Sequence, residues 1–452
     1  MEIKIKLPEK VKFIIDTIEN AGFEAFAVGG CVRDSLLGRE PNDWDITTSA
    51  RPEQVKKLFR RTVDTGIQHG TVTVMLKEEG FEVTTYRIDG EYEDSRHPKS
   101  VTFTPVLRED LARRDFTINA MAYSESRGLV DEFGGAQDLE LRVIRAVGMP
   151  ENRFEEDALR ILRAFRFAAQ LGFSIDGATK KAAEDLAPTL SKISAERINT
   201  ELTKLLVSDH PENVIELYEA GITKVILPEF DKCMETEQNN PHHCYNVGVH
   251  TAHALKNLTA DQTSDAAELR ILRWALLLHD FGKPAVKTTV DGIDHFYGHA
   301  AESEKLAEAI LRRLKNDNHT IDVVKKLIYF HDYRPAETKK SVRKAVNKIG
   351  EDLFPLLLKV QRADVKAQSD FQREEKLKRE DCLEEIYRGI IERKECVSLK
   401  TLAINGGDLI AAGMKPGKEL GETLKRLLDD VLEDPSCNTK EILMEKVLKG
   451  LD

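Results

Sequence analysis

The chain has 452 residues, more than one typical domain holds, and the length suits about three domains. Hydrophobic residues make up 41% and charged residues 32%, an ordinary balance for a soluble globular protein, and no apolar run approaches the length of a membrane span. The net charge of −11 counts mildly against a nucleic-acid binder, although local basic faces, not totals, decide such contacts.

Six cysteines, Cys31, Cys233, Cys244, Cys382, Cys396 and Cys437, are scattered without C-x-x-C spacing. That suggests neither a zinc ribbon nor a disulfide framework and fits reduced thiols in a cytoplasmic protein. The start, MEIKIKLPEK, lacks the apolar region of a secretory signal, which fits the same address.

In chain order, the first 145 residues mix helices and strands, and the class is α+β. Val11 to Asn20 reads as a helix. Glu24 to Val28 reads as a strand running into Gly29-Gly30, with a short helix to Leu37. Further strands are expected at Asp45 to Thr47, Thr71 to Leu76, Glu82 to Arg87 and Val101 to Thr104, from their β-branched and aromatic content. Phe154 to Leu171 predicts one continuous helix with Leu159, Leu162, Phe165 and Ala169 as its apolar stripe. Residues 231–246 break the periodicity and read as a loop. Helices rich in His and Asp follow to about Ala367, and the charge-dense segment Asp370 to Lys394 predicts a solvated linking helix. The expected domains are a mixed-sheet head at 1–145, a helical neck at 146–225, a helical metal-binding domain at 226–370 and a helical tail at 371–452.

The head carries the first chemical constellation. Val28-Gly-Gly-Cys-Val-Arg-Asp34 sets Gly29 and Gly30 between a strand and a helix, where backbone can approach an anion closely and helical N–H groups meet phosphate. Alone it is equally a plain tight turn. Asn42-Asp-Trp-Asp45 then sets carboxylates at i and i+2, on one face of an extended strand. Two adjacent carboxylates repel unless a cation lies between them, and hard oxygen ligands suit Mg²⁺. Two such ions would activate a 3′-hydroxyl and stabilise departing pyrophosphate. Glu82, on a later strand, is a third candidate carboxylate.

Ala112-Arg-Arg-Asp-Phe-Thr-Ile-Asn119 offers Arg113 and Arg114 to phosphate, and Asp115 and Asn119 to sugar or base. In Arg153-Phe-Glu-Glu-Asp-Ala-Leu-Arg160, Glu156, Arg160 and Arg163 share a stripe, with Asp157 beside it. An exposed ion pair is the plain reading. The sharper one is base selection. Cytosine and adenine both present an exocyclic amine beside a ring nitrogen, so an Asp157–Arg160 pair can accept from one and donate to the other. Uracil and guanine present a carbonyl there, leaving a buried carboxylate without a partner.

G-G-x-V-R-D, D-x-D, R-R-D-F-T-I-N and E-D-A-L-R, in this order, resemble the class II (bacterial-type) CCA-adding tRNA nucleotidyltransferases and their poly(A) polymerase relatives over residues 20–210. The resemblance implies a nucleotidyltransferase head of the polymerase β-like kind, with Asp43 and Asp45 as Mg²⁺ ligands. It implies that Gly29, Gly30, Arg33, Arg114 and Asp115 hold the nucleotide, and that Glu156, Asp157 and Arg160 form an amino-acid template for CTP and ATP. The partner implied is the 3′ end of tRNA or another RNA. Ser194-Ala-Glu-Arg-Ile-Asn-Thr-Glu201 resembles the family's later neck motif, for which a buried salt bridge is the simpler role. Residues 87–98 resemble a loop that the family associates with adding the terminal A.

The second constellation is His250, His279-Asp280 and Asp364, with His299 and His331 between. Imidazole and carboxylate suit Mn²⁺, Fe²⁺, Ni²⁺, Co²⁺ or Mg²⁺, and an ion with an open position can activate water for phosphoester attack. The pattern H…HD…D resembles the HD phosphohydrolases, and His299 and His331 match the extra histidines of two-metal variants. In the tail, Lys415 and Lys418 flank a Gly/Pro turn and are placed to meet RNA phosphate or simply to solvate a packing turn. Two other readings stand beside CCA addition. One is a poly(A) polymerase or A-adding enzyme with nearly the same head. The other is a phosphohydrolase whose head only grips RNA.

Overall fold

The computed structural model describes residues 4–90 and 101–448, so positions 91–98 of the expected A-addition loop lie outside the described residues. The chain forms two compact units, Met1–Pro228 and Glu229–Asp452.

The first unit is built on a mixed sheet. Its strands are β1 (Ala25–Val28), β2 (Ile46–Thr48), β3 (Thr62–Gly66), β4 (Thr71–Leu76), β5 (Glu79–Thr85), β8 (Met121–Ser124) and β9 (Gly128–Asp131); β6 (Arg87–Asp89) and β7 (Val101–Phe103) form a separate ribbon. The order across the sheet is β3-β4-β5-β2-β1-β8-β9, with β2 and β5 parallel and the other neighbours antiparallel. Phe26, Val28, Tyr86, Leu111, Ala120, Ala122 and Val147 pack into one core cluster behind the β1 end that carries the glycines. β3, β8 and β9 were not expected. Val63 and Asp64 are exposed, so β3 shows no buried alternation, and all four residues of β8 are buried, so it lacks a period of two.

The expected helix Phe154 to Leu171 is in fact two, Pro150–Glu156 and Leu159–Leu171. Asp157 is extended (φ −143°, ψ 103°), and its Oδ1 accepts from the Leu159 N–H at 3.0 Å. A short carboxylate that bonds nearby backbone favours a helix start over a helix interior, and here it restarts the helix.

The second unit is helical. Val247–Asn257, Ala266–Leu278, His299–Arg313, Asn318–Phe330 and Phe354–Ala367 surround a histidine-rich centre, and a hairpin of Thr288–Val290 with Ile293–His295 lies beside it. Polar caps set the helix starts: Asn246 accepts from Val249 N–H, Asp265 from Ala267 and Glu268, and Asp317 from Thr320. The expected loop 231–246 begins inside a helix, Pro228–Met234, which buries Phe230 and Cys233. The charge-dense helix Arg373–Glu392 is not simply solvated. It buries Glu380, Leu383 and Ile390, since a charged helix still packs when a few apolar positions share a face. The chain's last helices close over Leu409, Leu427, Val431 and Leu443, a core of their own.

Candidate active sites

In the first unit, β1 ends at Val28 and Gly29 turns with φ 83° and ψ −130° into the helix Gly30–Leu36. A side chain at Gly29 would set its Cβ 2.8 Å from a terminal nitrogen of Arg114, so the bend and that guanidinium are in close contact. The Nε of Arg114 is buried without a hydrogen-bond partner. Burial lowers the Arg114 pKa, against the opposing pull of Asp110 and Asp45.

Asp43 and Asp45 precede β2 in extended chain rather than lying within it, and the Asp45 carbonyl accepts from Val28 N–H at 3.0 Å. β2 pairs with β5 in the register Ile46↔Val83, and one step back along both strands brings Asp45 level with Glu82. Asp43, Asp45 and Glu82 line one cleft of about 970 Å³, with Lys10, Trp44 and Phe81. Asp45 touches solvent in that open cleft, yet enough protein surrounds it to raise its pKa. Partial burial is the main cause; Arg114 opposes it and the Asp43 charge adds to it. That carboxylate–carboxylate repulsion is what a divalent cation between the two would remove.

The remaining head motifs interlock. Arg33 donates to both oxygens of Asp34, at 2.8 and 2.9 Å, and to Oδ1 of Asn119 at 2.8 Å, with its guanidinium over the Phe167 ring. Asp115 is buried; its Oδ1 accepts from Phe116 N–H and from Asn119, and its Oδ2 from Arg163. Asp115 and Asn119 thus hold protein partners and do not line the cleft itself.

Glu156 and Arg160 meet at 2.6 Å, and Glu156 also receives Arg153. Arg160 is further anchored to the carbonyls of Arg153 at 3.2 Å and Arg113 at 2.9 Å. Asp157 pairs with Arg197 of the later neck motif at 2.7 Å, not with Arg160, because the helix breaks at Asp157 and turns its carboxylate away. Glu201 of the same motif forms a buried pair with Arg166 at 2.8 Å. Arg153 and Arg197 therefore join the expected set; Arg197 lies in the quoted motif, while no spacing pointed to Arg153.

In the second unit the expected residues converge from helix ends. His250 and Asp364 lie within helices, His279 and His331 follow the last turns of two helices, and His299 opens another. Nδ1 of His279, His299 and His331 lies 2.7, 2.8 and 2.6 Å from the carbonyls of Leu276, Phe296 and Ile328. A carbonyl can only accept, so each Nδ1 donates and each Nε2 faces inward as a potential ligand. His250, His279 and Asp280 form one triplet, and Asp280, His299 and His331 a second. Asp280 joins them: Oδ2 lies 3.6 Å from His250 Nε2 and 3.3 Å from His279 Nε2, and Oδ1 lies 3.4 Å from His299 Nε2 and 3.7 Å from His331 Nε2. Asp364 Oδ1 is 2.9 Å from His250 Nε2.

This donor set fits divalent cations. Nε2 of His279 is buried without a hydrogen-bond partner. Burial lowers the His279 pKa, but Asp280 and Asp364 outweigh it and push it up to about 10. Asp280 and Asp364 thus gather carboxylate oxygens around these imidazole nitrogens, an arrangement that suits a divalent cation. Lys283 already supplies positive charge, 2.7 Å from Asp280 Oδ2. Lys283, His243, Tyr297 and Asp332 line the same cavity of about 310 Å³ and were not singled out in sequence. Lys283 closes the His-Asp-Phe-Gly-Lys run and Asp332 repeats a His-Asp pair, so both left a trace there.

Three family models match the chain: "Poly A polymerase head domain" over residues 25–145, "Probable RNA and SrmB- binding site of polymerase A" over 172–234, and the tRNA nucleotidyltransferase domain 2 over 294–447. Over 450 residues the chain is 35% identical to the CCA-adding enzyme of Lactobacillus helveticus, covering 99% of each. The chain belongs to the CCA-adding enzyme family. Another family member, from Levilactobacillus brevis, is 36% identical over 445 residues, with 98% of each chain covered. The CCA-adding enzyme of Bacillus stearothermophilus, solved in complex with CTP, shares the fold at TM-score 0.71 and 29% identity, over 98% of this chain and 99% of that one. No helix among the described residues is long and apolar enough to cross a membrane.

Proposed function

We propose that this protein adds C, C and A to the 3′ end of tRNA from CTP and ATP without a nucleic-acid template. In each step the terminal 3′-hydroxyl oxygen bonds to the α-phosphorus, the bond from that phosphorus to pyrophosphate breaks, and the hydroxyl proton passes to solvent. The observation that carries this reading is the single cleft shared by Asp43, Asp45 and Glu82, with the Asp45 carbonyl bonded to Val28 N–H just before the Gly29 bend, in a member of this family.

Membership implies use of a divalent metal, and Asp43 and Asp45 fit Mg²⁺ as hard oxygen donors, with Glu82 as the neighbouring carboxylate. When bound, the metal polarises the reacting phosphate and neutralises its charge. Gly29 and Gly30 let the triphosphate approach backbone N–H groups. Arg114, with a buried Nε that lacks a partner, supplies positive charge under that bend. Arg33 holds Asn119, and Asp115 fixes Arg163 and Asn119.

Base selection falls to Glu156, Asp157 and Arg160. Both terminal nitrogens of Arg160 are anchored, while among the described residues its Nε–H makes no hydrogen bond. A guanidinium held this way donates in one fixed direction, toward a ring nitrogen. Asp157, held by Arg197, keeps acceptor capacity for an exocyclic amine.

The second centre supports a separate activity, metal-dependent phosphoester hydrolysis of the HD type. The twin triplets sharing Asp280 carry it. A bound Mn²⁺, Fe²⁺, Ni²⁺, Co²⁺ or Mg²⁺ would supply an activated water. His250, His279, His299, His331 and Asp364 then serve as ligands whose orientation is set by backbone carbonyls or neighbouring side chains.

The test is incubation with Mg²⁺, labelled CTP or ATP, and tRNA ending at the discriminator base, at C or at CC. Ordered addition that stops after one A is expected. Long A tracts, or no use of CTP, would mean a poly(A) polymerase or A-adding enzyme. No incorporation, with phosphate release under a transition metal, would leave hydrolysis as the main task.

A further inference from the structure

The rim of the hydrolytic cavity carries an aromatic ring that none of the chemistry above employs. Tyr297 is 80% exposed, yet it lines the same cavity as Asp280, His299 and Asp332. Single exposed aromatic side chains are common on protein surfaces, so exposure by itself says little. Three further observations give this one a role.

The first is its support. The His295 and Tyr297 rings lie nearly parallel, with 7° between planes and 5.3 Å between centroids. The two residues sit at i and i+2 at the end of the Ile293–His295 strand, and Phe296 between them turns inward, 9% exposed, against Lys283. Backbone alternation therefore presents the two rings together and outward. The second is its tether. Gly298 takes a left-handed conformation, φ 81°, and the helix starts at His299, whose Nε2 faces Asp280. The exposed ring is thus two residues from a metal-ligand candidate. The third is size. A cavity of about 310 Å³ is at the small end of the roughly 300–1,000 Å³ typical of ligand pockets, enough for a sugar phosphate, which leaves a base at the rim.

We propose that Tyr297, backed by His295, is a stacking platform for the nucleobase of the hydrolytic substrate, whose phosphoester points inward to Asp280, His299 and His331. The proposal rests on the hydrolytic reading above and narrows its substrates to nucleoside phosphoesters. Every base has a π face, so the platform tolerates all four.

The experiment compares 2′,3′-cyclic AMP with its base-free counterpart, methyl β-D-ribofuranoside 2′,3′-cyclic phosphate, on full-length protein loaded with Mn²⁺, Ni²⁺ or Co²⁺. Stacking on one aromatic ring supports an affinity difference of about 5- to 100-fold. The base-free compound should show a KM higher by that factor. Tyr297→Ala should raise KM for cyclic AMP by a similar factor with kcat nearly unchanged, and Tyr297→Phe should restore it. Removing both base and ring should cost no more than removing either. Binding of 2′-AMP, measured by calorimetry with the head saturated by CTP, should weaken in parallel. Equal KM changes for both compounds, or none for cyclic AMP, would overturn the platform while hydrolysis persists. If wild-type protein hydrolyses neither compound with any of the three metals, the hydrolytic reading itself falls and the platform with it.

Discussion

Arg163 grips a single oxygen of Asp115 through both Nε, at 2.8 Å, and a terminal nitrogen, at 2.5 Å. The pair ties the Arg-Arg-Asp motif to the helix Leu159–Leu171, so two motifs far apart in sequence are held together. Burial pushes the Asp115 carboxyl up, but Arg163, Asn119 and Arg160 outweigh it and hold its pKa below the ordinary value. A carboxylate depressed on folding stabilises most above its unfolded pKa of about 4, and that stability is lost as pH falls through the folded value. Asp115→Asn should lower stability by about 1.5–3 kcal/mol, the worth of a hydrogen bond to a charged group. In urea unfolding the gap from wild type should be the same at pH 7 and pH 5 and should shrink at more acid pH. A gap that widens on acidification would refute the assignment.

Arg166 and Glu201 form the more deeply buried pair, with side chains 7% and 5% exposed. Removing one partner of such a pair leaves an uncompensated charge, at a cost of about 3–5 kcal/mol, whereas replacing both by apolar groups is often neutral. Glu201→Ala should therefore destabilise by about that amount. Arg166→Met with Glu201→Leu should recover most of it. Thermal and urea unfolding of the two variants distinguish this from a catalytic role, which the double replacement would not rescue.

Much of this was legible in sequence because metal and phosphate chemistry needs particular atoms at fixed spacing. Asp43 and Asp45 were marked by their i, i+2 spacing, and the cleft gathers them with Glu82 through the β2–β5 register. His279-Asp280 after an apolar run marked the end of a buried helix, which is where it lies. The protein partner of Asp157 was not legible. Asp157 stands three residues before Arg160, as a helical pair would, yet it pairs with Arg197, forty positions away. Helix periodicity cannot foresee a break made by the very carboxylate in question. Tyr297 was likewise invisible, since only the fold sets it beside His295 and the cavity.

Gly29 offers a test of the bend itself. Its φ of 83° disfavours any side chain, and an added Cβ would meet Arg114 at 2.8 Å. Either strain shifts the bend or the guanidinium moves. A displacement of about 1 Å in a positioned group can lower a rate by about 10²-fold. Gly29→Ala should therefore reduce nucleotide incorporation by about that factor while leaving metal-dependent hydrolysis intact. Incorporation at the wild-type rate would show that the bend does not position the triphosphate.

The shared carboxylate of the second centre makes a sharper prediction about metal content. Asp280 contributes to both triplets, whereas His279 belongs to the first and His299 to the second. Wild-type protein dialysed against Mn²⁺ and then buffer should retain two ions per chain by elemental analysis. His279→Ala and His299→Ala should each retain one, and Asp280→Ala none. Each variant should lose hydrolysis yet still add C, C and A, because Asp43 and Asp45 lie in the other compact unit. Asp45→Ala should do the reverse, abolishing incorporation with both ions of the second centre retained. One ion lost on Asp280→Ala, or incorporation lost with His279→Ala, would break the assignment of a bridging carboxylate and of two separate centres respectively.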